Sequence, residues 1–109
     1  MTSRRVMLTS DAMADIDDLY DYICEHDLPA RAVHVREALI SLIESLATAA
    51  ERGTYPKELA DLGIREYREV FFKPYRVIFR VAPKHVYVYL VSDGRRDMLK
   101  LLERRLLSS

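Results

Sequence analysis

The stretch Ile64-Arg65-Glu66-Tyr67-Arg68-Glu69-Val70-Phe71-Phe72-Lys73-Pro74-Tyr75-Arg76-Val77-Ile78-Phe79-Arg80-Val81 decides how this chain is read. From Tyr75 onward, Tyr75, Val77, Phe79 and Val81 alternate with Arg76 and Arg80, the period of two that marks a strand with one buried face. Residues 64–72 read as an earlier strand, and Lys73-Pro74 as the tight turn between the two. Ala82-Pro83-Lys84 turns the chain again into His85–Val91, where Val86, Val88 and Leu90 alternate with Tyr87 and Tyr89. Three strands joined by such short loops predict an antiparallel meander.

On either side of this meander the period changes. Upstream, Ile16, Leu19, Tyr20, Ile23 and Cys24 recur at helical spacing from Asp11 to about His26. Asp27-Leu28-Pro29 breaks this helix and starts a second one, with Asp27 as its cap and Pro29 in its first turn. The second helix carries the stripe Val35, Leu39, Leu42, Ile43, Leu46 and Ala50, and Gly53 stops it. A break this short predicts an antiparallel helical hairpin. Residues 4–9 form a short apolar strand ending at Ser10-Asp11, and residues 53–63 a loop with about one helical turn. Downstream, Met98, Leu99, Leu102 and Leu106 restore helical spacing. The predicted order is β-α-α-β-β-β-α, an α+β fold whose sheet takes the hairpin as its second layer.

With 109 residues the chain holds one domain, residues 1–109, and half of it is apolar. Its 17 basic and 17 acidic residues cancel, which excludes a whole-molecule field for nucleic acid or an anionic membrane. The charge is nevertheless segregated: residues 1–27 carry a net −5 and residues 64–109 a net +6. A single cysteine excludes a disulfide framework and a thiolate zinc site. No apolar run reaches the roughly 20 residues of a membrane helix, and the first ten residues lack the apolar core of a secretory leader. The expected location is therefore the cytoplasm, without membrane association.

Neither metal nor cofactor chemistry is expected. His26, His34 and His85 lack ligand spacing, and the three glycines form no phosphate loop. The arginines carry more information. Arg65 and Arg68 stand on the first meander strand, Arg76 and Arg80 on the second, and Arg95 and Arg96 just after the third. Guanidinium groups gathered on a sheet can fork onto phosphate or carboxylate oxygens. Glu66 and Glu69 are interleaved with them, so cross-strand ion pairing is the competing use of the same charges.

The segment Gly63 to Val81 resembles the core of the RelE/ParE toxin superfamily, whose middle strands often read Arg-x-x-Arg and then Tyr-Arg-Val-Ile-Tyr. Asp93-Gly94-Arg95-Arg96-Asp97-Met98 and Leu101-Leu102-Glu103-Arg104-Arg105-Leu106-Leu107 resemble the end of ParE-like members, and Ala14 to Ile23 their beginning. The resemblance implies the toxin of a type II toxin–antitoxin pair, neutralised by a protein antitoxin. It implies one of two activities: poisoning of DNA gyrase, as in the ParE branch, or ribosome-dependent cleavage of messenger RNA, as in RelE-type enzymes. Arg68, Arg76 and Arg95 match arginines that the ribonucleases use around the scissile phosphate. Two departures weigh against that activity: Gly94 replaces a His or Lys, and Leu99 a Tyr, so general acid–base chemistry lacks a titrating group. The gyrase-binding reading, without catalysis, is therefore preferred over the ribonuclease, and a non-toxic interaction domain that keeps the fold is the third reading. Arg65, Arg80 and Arg96 are the expected contacts to the target. The apolar Leu99, Leu102 and Leu106, with Leu107 beside them, are the expected contacts to the antitoxin.

Overall fold

A computed structural model describes residues 3–107, the side chain of Leu107 excepted. Its order is β1 (Arg5–Leu8), α1 (Ser10–His26), α2 (Pro29–Ala49), a 3-10 turn (Ala50–Arg52), α3 (Lys57–Ala60), β2 (Tyr67–Phe72), β3 (Tyr75–Val81), β4 (His85–Asp93) and α4 (Met98–Leu107). The helical hairpin, the meander and the terminal helix stand where the periodicities put them. The sheet has four strands in the order β1-β4-β3-β2. The meander pairs are antiparallel, and β1 joins the far side of β4 in parallel, Val6 beside Val86 and Leu8 beside Val88.

Two boundaries differ from expectation, each for a capping reason. Thr9 caps α1, its hydroxyl accepting the Ala12 N–H at 3.0 Å, which places the cap ahead of Ser10-Asp11. At α2 the cap residue is Leu28, with Pro29 in the first turn, while the Asp27 carboxylate accepts the Leu28 N–H at 2.7 Å. β2 also begins at Tyr67 rather than at residue 64, because the chain first leaves α3 through Gly63. Gly63 has a φ of +78°, the left-handed conformation that glycine adopts without a Cβ penalty.

The hairpin covers one face of the sheet. Ala12, Ile16 and Ile23 of α1 and Val35, Leu39, Ile43 and Leu46 of α2 pack against Val77, Phe79, Val86, Val88 and Val91. Side chains such as Leu39, Phe79 and Val88 lose all contact with water. Each contributes about 1.5–3 kcal/mol by the transfer of its surface. A second, smaller cluster occupies the outer face: Leu59 of α3, Ile78, Leu90, and Met98 and Leu102 of α4.

Leu90 corrects the alternation expected of β4. Ile78 pairs with Leu90 but Phe79 pairs with Val88, so Tyr89 is an extra residue in the strand, a β-bulge. Beyond the bulge the two sides of the strand are exchanged. Val86 and Val88 face the hairpin, whereas Leu90 enters the outer cluster and Val91 takes its place in the main core.

The bulge lies just beyond the point where β1 ends, leaving the rest of β4 paired with β3 but without a strand on its other side. Side chains close the gap. The Val91 N–H donates to the Asp15 carboxylate at 2.9 Å, and the Arg105 guanidinium donates to the Tyr89 carbonyl at 2.7 Å. Arg105 also forks onto both Asp15 oxygens at 2.8 and 2.9 Å. One ion pair thus ties α1, β4 and α4 together and satisfies main-chain groups that burial would otherwise strand.

Candidate functional site

The ladder between β2 and β3 sorts the arginines. Arg68 stands opposite Phe79 and therefore shares the hairpin face, whereas Tyr67 stands opposite Arg80 and Phe71 opposite Arg76 on the outer face. Arg68 and Arg76, two of the three candidates for a phosphate clamp, thus emerge on opposite sides of one sheet.

Arg76 is also consumed. Its Nε donates to Glu69 Oε1 at 2.7 Å, and its two terminal nitrogens donate to the two Glu58 oxygens at 2.8 Å each. Its side chain is only 10% exposed. The hydrogen bonds that Glu58 accepts hold the Arg76 guanidinium firmly charged, and the same bonds hold the Glu58 carboxyl below its ordinary range. Glu69 moves upward instead, because burial outweighs its share of a single guanidinium. Gly94 makes room for this arrangement. A Cβ there would lie 3.0 Å from the Arg76 side chain and 3.1 Å from the Pro74 carbonyl. A larger residue at this position would press on the Arg76 stem and the Pro74 carbonyl.

Arg68 donates to the Gly53 carbonyl at 3.0 Å and lies 4.9 Å from the centre of the Tyr55 ring. Arg65 lies 5.5 Å from the same ring, so the two cations flank one loop tyrosine. Arg95 is solvent-facing and forks onto Asp93, at 2.6 and 3.0 Å. That pair holds the Asp93 carboxyl below its ordinary range. Arg95 and Arg96 border a cleft of about 570 Å³ whose other wall is α1, with Asp18 and Tyr22, and whose floor includes Tyr75. Arg80 hydrogen-bonds the Tyr89 hydroxyl at 3.3 Å and lies 5.2 Å from the centre of the Tyr87 ring.

The structure therefore brings Arg65 together with Arg68 and Arg95 together with Arg96. It does not gather Arg68, Arg76 and Arg95 around one point where a phosphate could sit. At Arg76 the competing use of the charge prevails, since Glu58 and Glu69 already match it. Glu58 lies on the short helix α3, 18 residues from its partner, and no local pattern pointed to it. Asp15, one of the acidic residues of α1, is held by the Arg105 clasp. Tyr55 carries no sequence signal beyond being an aromatic residue in a loop.

On α4, Leu102 is 1% exposed and belongs to the outer cluster, which corrects its reading as a surface contact. Leu99 is 38% exposed and Leu106 partly buried. Both line a groove of about 190 Å³ with Leu62, Ile64 and Tyr67, and the carboxylates Glu66 and Glu103 also border it. The Leu107 side chain lies outside the described residues. Among the described residues no group of three or more His, Cys, Asp or Glu side chains is placed to hold a metal ion, and no helix is long and apolar enough to cross a membrane.

Comparison with known proteins agrees with the strand and helix order. Residues 6–98 match the model of the family described as the ParE toxin of the type II toxin–antitoxin system, parDE. Among solved structures, the chain is similar to one from the chromosomal ParDE toxin–antitoxin system of P. aeruginosa. There the TM-score is 0.70 and the identity 21%, over 84% of this chain and 96% of the other. It is also similar to a chain of the RelBE2 toxin–antitoxin complex of Mycobacterium tuberculosis, with a TM-score of 0.59 and 17% identity, over 84% of this chain and 99% of that one. No curated protein matches the chain in sequence.

Proposed function

The chain belongs to the ParE toxin family of type II toxin–antitoxin systems, and on that premise we propose that it acts in the cytoplasm by binding DNA gyrase, held in check by a cognate protein antitoxin. The observation that carries this reading is the family match, which spans residues 6–98 and so includes nearly all of the sheet. The state of the arginines supports it. A ribonuclease needs cations free to stabilise charge developing on a phosphate, together with a group that moves protons. Here the Arg76 charge is matched by Glu58 and Glu69, and Arg68 stands on the other face. Binding a protein makes no such demand.

In this reading Arg65, Arg80 and Arg96 contact the target, and the groove beside Leu99 and Leu106 receives an apolar segment of the antitoxin. The carboxylates Glu66 and Glu103 at that groove favour basic residues in the segment, so the local charge runs opposite to the net +6 of residues 64–109. The decisive experiment adds the purified chain to gyrase with relaxed plasmid and, separately, to translating ribosomes. Inhibited supercoiling with intact message is the expected outcome. Cut message with unaffected supercoiling would transfer the assignment to the ribonuclease branch.

A further inference from the structure

The outer face of the sheet is covered over only half its length. α3 and α4 lie over Ile78 and Leu90, and beyond them the face is open. Across the open half runs a row in register, Met7 of β1 beside Tyr87 of β4 and Arg80 of β3, which ends on Tyr67 of β2, itself packed against the outer cluster. The next position along adds Arg5 beside His85. At the strand spacing of about 4.8 Å the row is about 14 Å long, room for more than one base.

The chemistry of this row is uniform. The His85 and Tyr87 rings stack at 5.5 Å, 17° from parallel, and the Arg80 guanidinium lies 5.2 Å from the Tyr87 ring centre. Tyr89 meets the Tyr67 ring edge-on at 5.6 Å and holds Arg80 through its hydroxyl. Arg5 is exposed, and so is Lys84 in the adjoining turn, whose carbonyl accepts the Arg5 N–H at 2.9 Å. Among the described residues none of Arg5, Arg80 and Lys84 has a carboxylate partner, unlike Arg76, Arg95 and Arg105. The nearest acid on the row is Glu66, next to Tyr67 at its far edge.

We propose that this open half-sheet binds single-stranded DNA, with bases against the His85–Tyr87–Arg80 column and phosphates on Arg5, Arg80 and Lys84. Flat rings beside cations without carboxylate partners match the two halves of an unpaired nucleotide, its π face and its phosphate. A duplex offers no base faces to such a surface. Met7, 44% exposed beside Tyr87, supplies an apolar contact for the thymine methyl group, which uracil lacks, and this selects DNA over RNA.

The test is fluorescence anisotropy of a labelled 20-nucleotide thymidylate strand titrated with the full chain. Saturable binding is expected, with an affinity that falls on added salt at a log–log slope of about −2, as for three phosphate contacts on a single strand. Tyr87→Ala weakens it about tenfold. Arg5→Glu combined with Lys84→Glu, two exposed positions, abolishes it while the melting temperature holds. Arg36→Glu combined with Arg52→Glu makes the same change in net charge on other surfaces and leaves binding intact. Equal loss in both double variants would reduce the effect to bulk charge and overturn the proposal. So would equal affinity for a duplex, and uridylate bound as tightly as thymidylate would overturn the choice of DNA.

Discussion

Arg76 and Arg80 stand four residues apart on one strand and one face, yet they live in different surroundings. Over Arg76 lies α3, which carries Glu58, and two carboxylates hold its guanidinium. Arg80 has instead the tyrosines Tyr87 and Tyr89 as its partners. The same residue in the same alternation is structural at one end of the face and available at the other. What decides between them is the covering layer, built from parts of the chain remote from the strand.

The comparison makes its largest prediction about stability. Arg76→Ala leaves Glu58 and Glu69 without their cation and should cost about 3–5 kcal/mol, as for other broken buried pairs. Arg80→Ala should cost less than about 1 kcal/mol, as at other sites with few buried contacts. Urea midpoints measure both, and equal losses would end the distinction. The covering helix makes the same contrast on a smaller scale. Leu102→Ala should cost about 2–4 kcal/mol and Leu99→Ala less than about 1 kcal/mol, since a cavity forms only at the buried site.

The clasp that holds α4 down comes next. Arg105→Ala removes charge-assisted hydrogen bonds to Asp15 and Tyr89 and should cost about 1.5–3 kcal/mol, read from thermal melts. The smallest effect is the pH response around Arg76. The Glu58 carboxyl is held below its ordinary value of 4.5, so its contribution is present above that value and fades as pH falls through the folded one. Glu69 is raised, so its contribution is present below 4.5 and fades as pH rises through its folded value. The two slopes oppose each other. Glu69→Gln removes the second and should steepen the loss of stability in acid, measured by melting between about pH 3 and 6. An unchanged slope would mean that Glu69 titrates as an ordinary carboxylate.

The hairpin, the meander and the C-terminal helix were legible because local periodicity reports a face buried along its whole length. The bulge at Tyr89 was not, since nothing in Val86-Tyr87-Val88-Tyr89-Leu90 distinguishes strict alternation from alternation with one residue inserted. The parallel docking of β1 beside β4 was equally hidden, because four residues of apolar pattern do not name their neighbour. At the site, the arginine positions could be read but not their use. Glu69 was visible as a rival partner from its place among the arginines, while Glu58 reaches Arg76 only through the fold of the loop. Leu102 and Leu99 belong to one apolar pattern, and only the placement of α4 over Ile78 and Leu90 buries the first and leaves the second exposed.

The Asp15–Arg105 clasp has a consequence for the order of folding. Its partners are 90 residues apart, and the groups they satisfy belong to a strand between them. Contacts this distant in sequence close late, because a long loop must be ordered first. Until α4 docks, the Tyr89 carbonyl lacks its guanidinium and Asp15 lacks the cation that fixes it against the Val91 N–H. The Val91 amide is thus a clock for the last helix. Its hydrogen exchange should follow the docking of α4 and quicken in Arg105→Ala, while amides paired between β2 and β3 keep their protection.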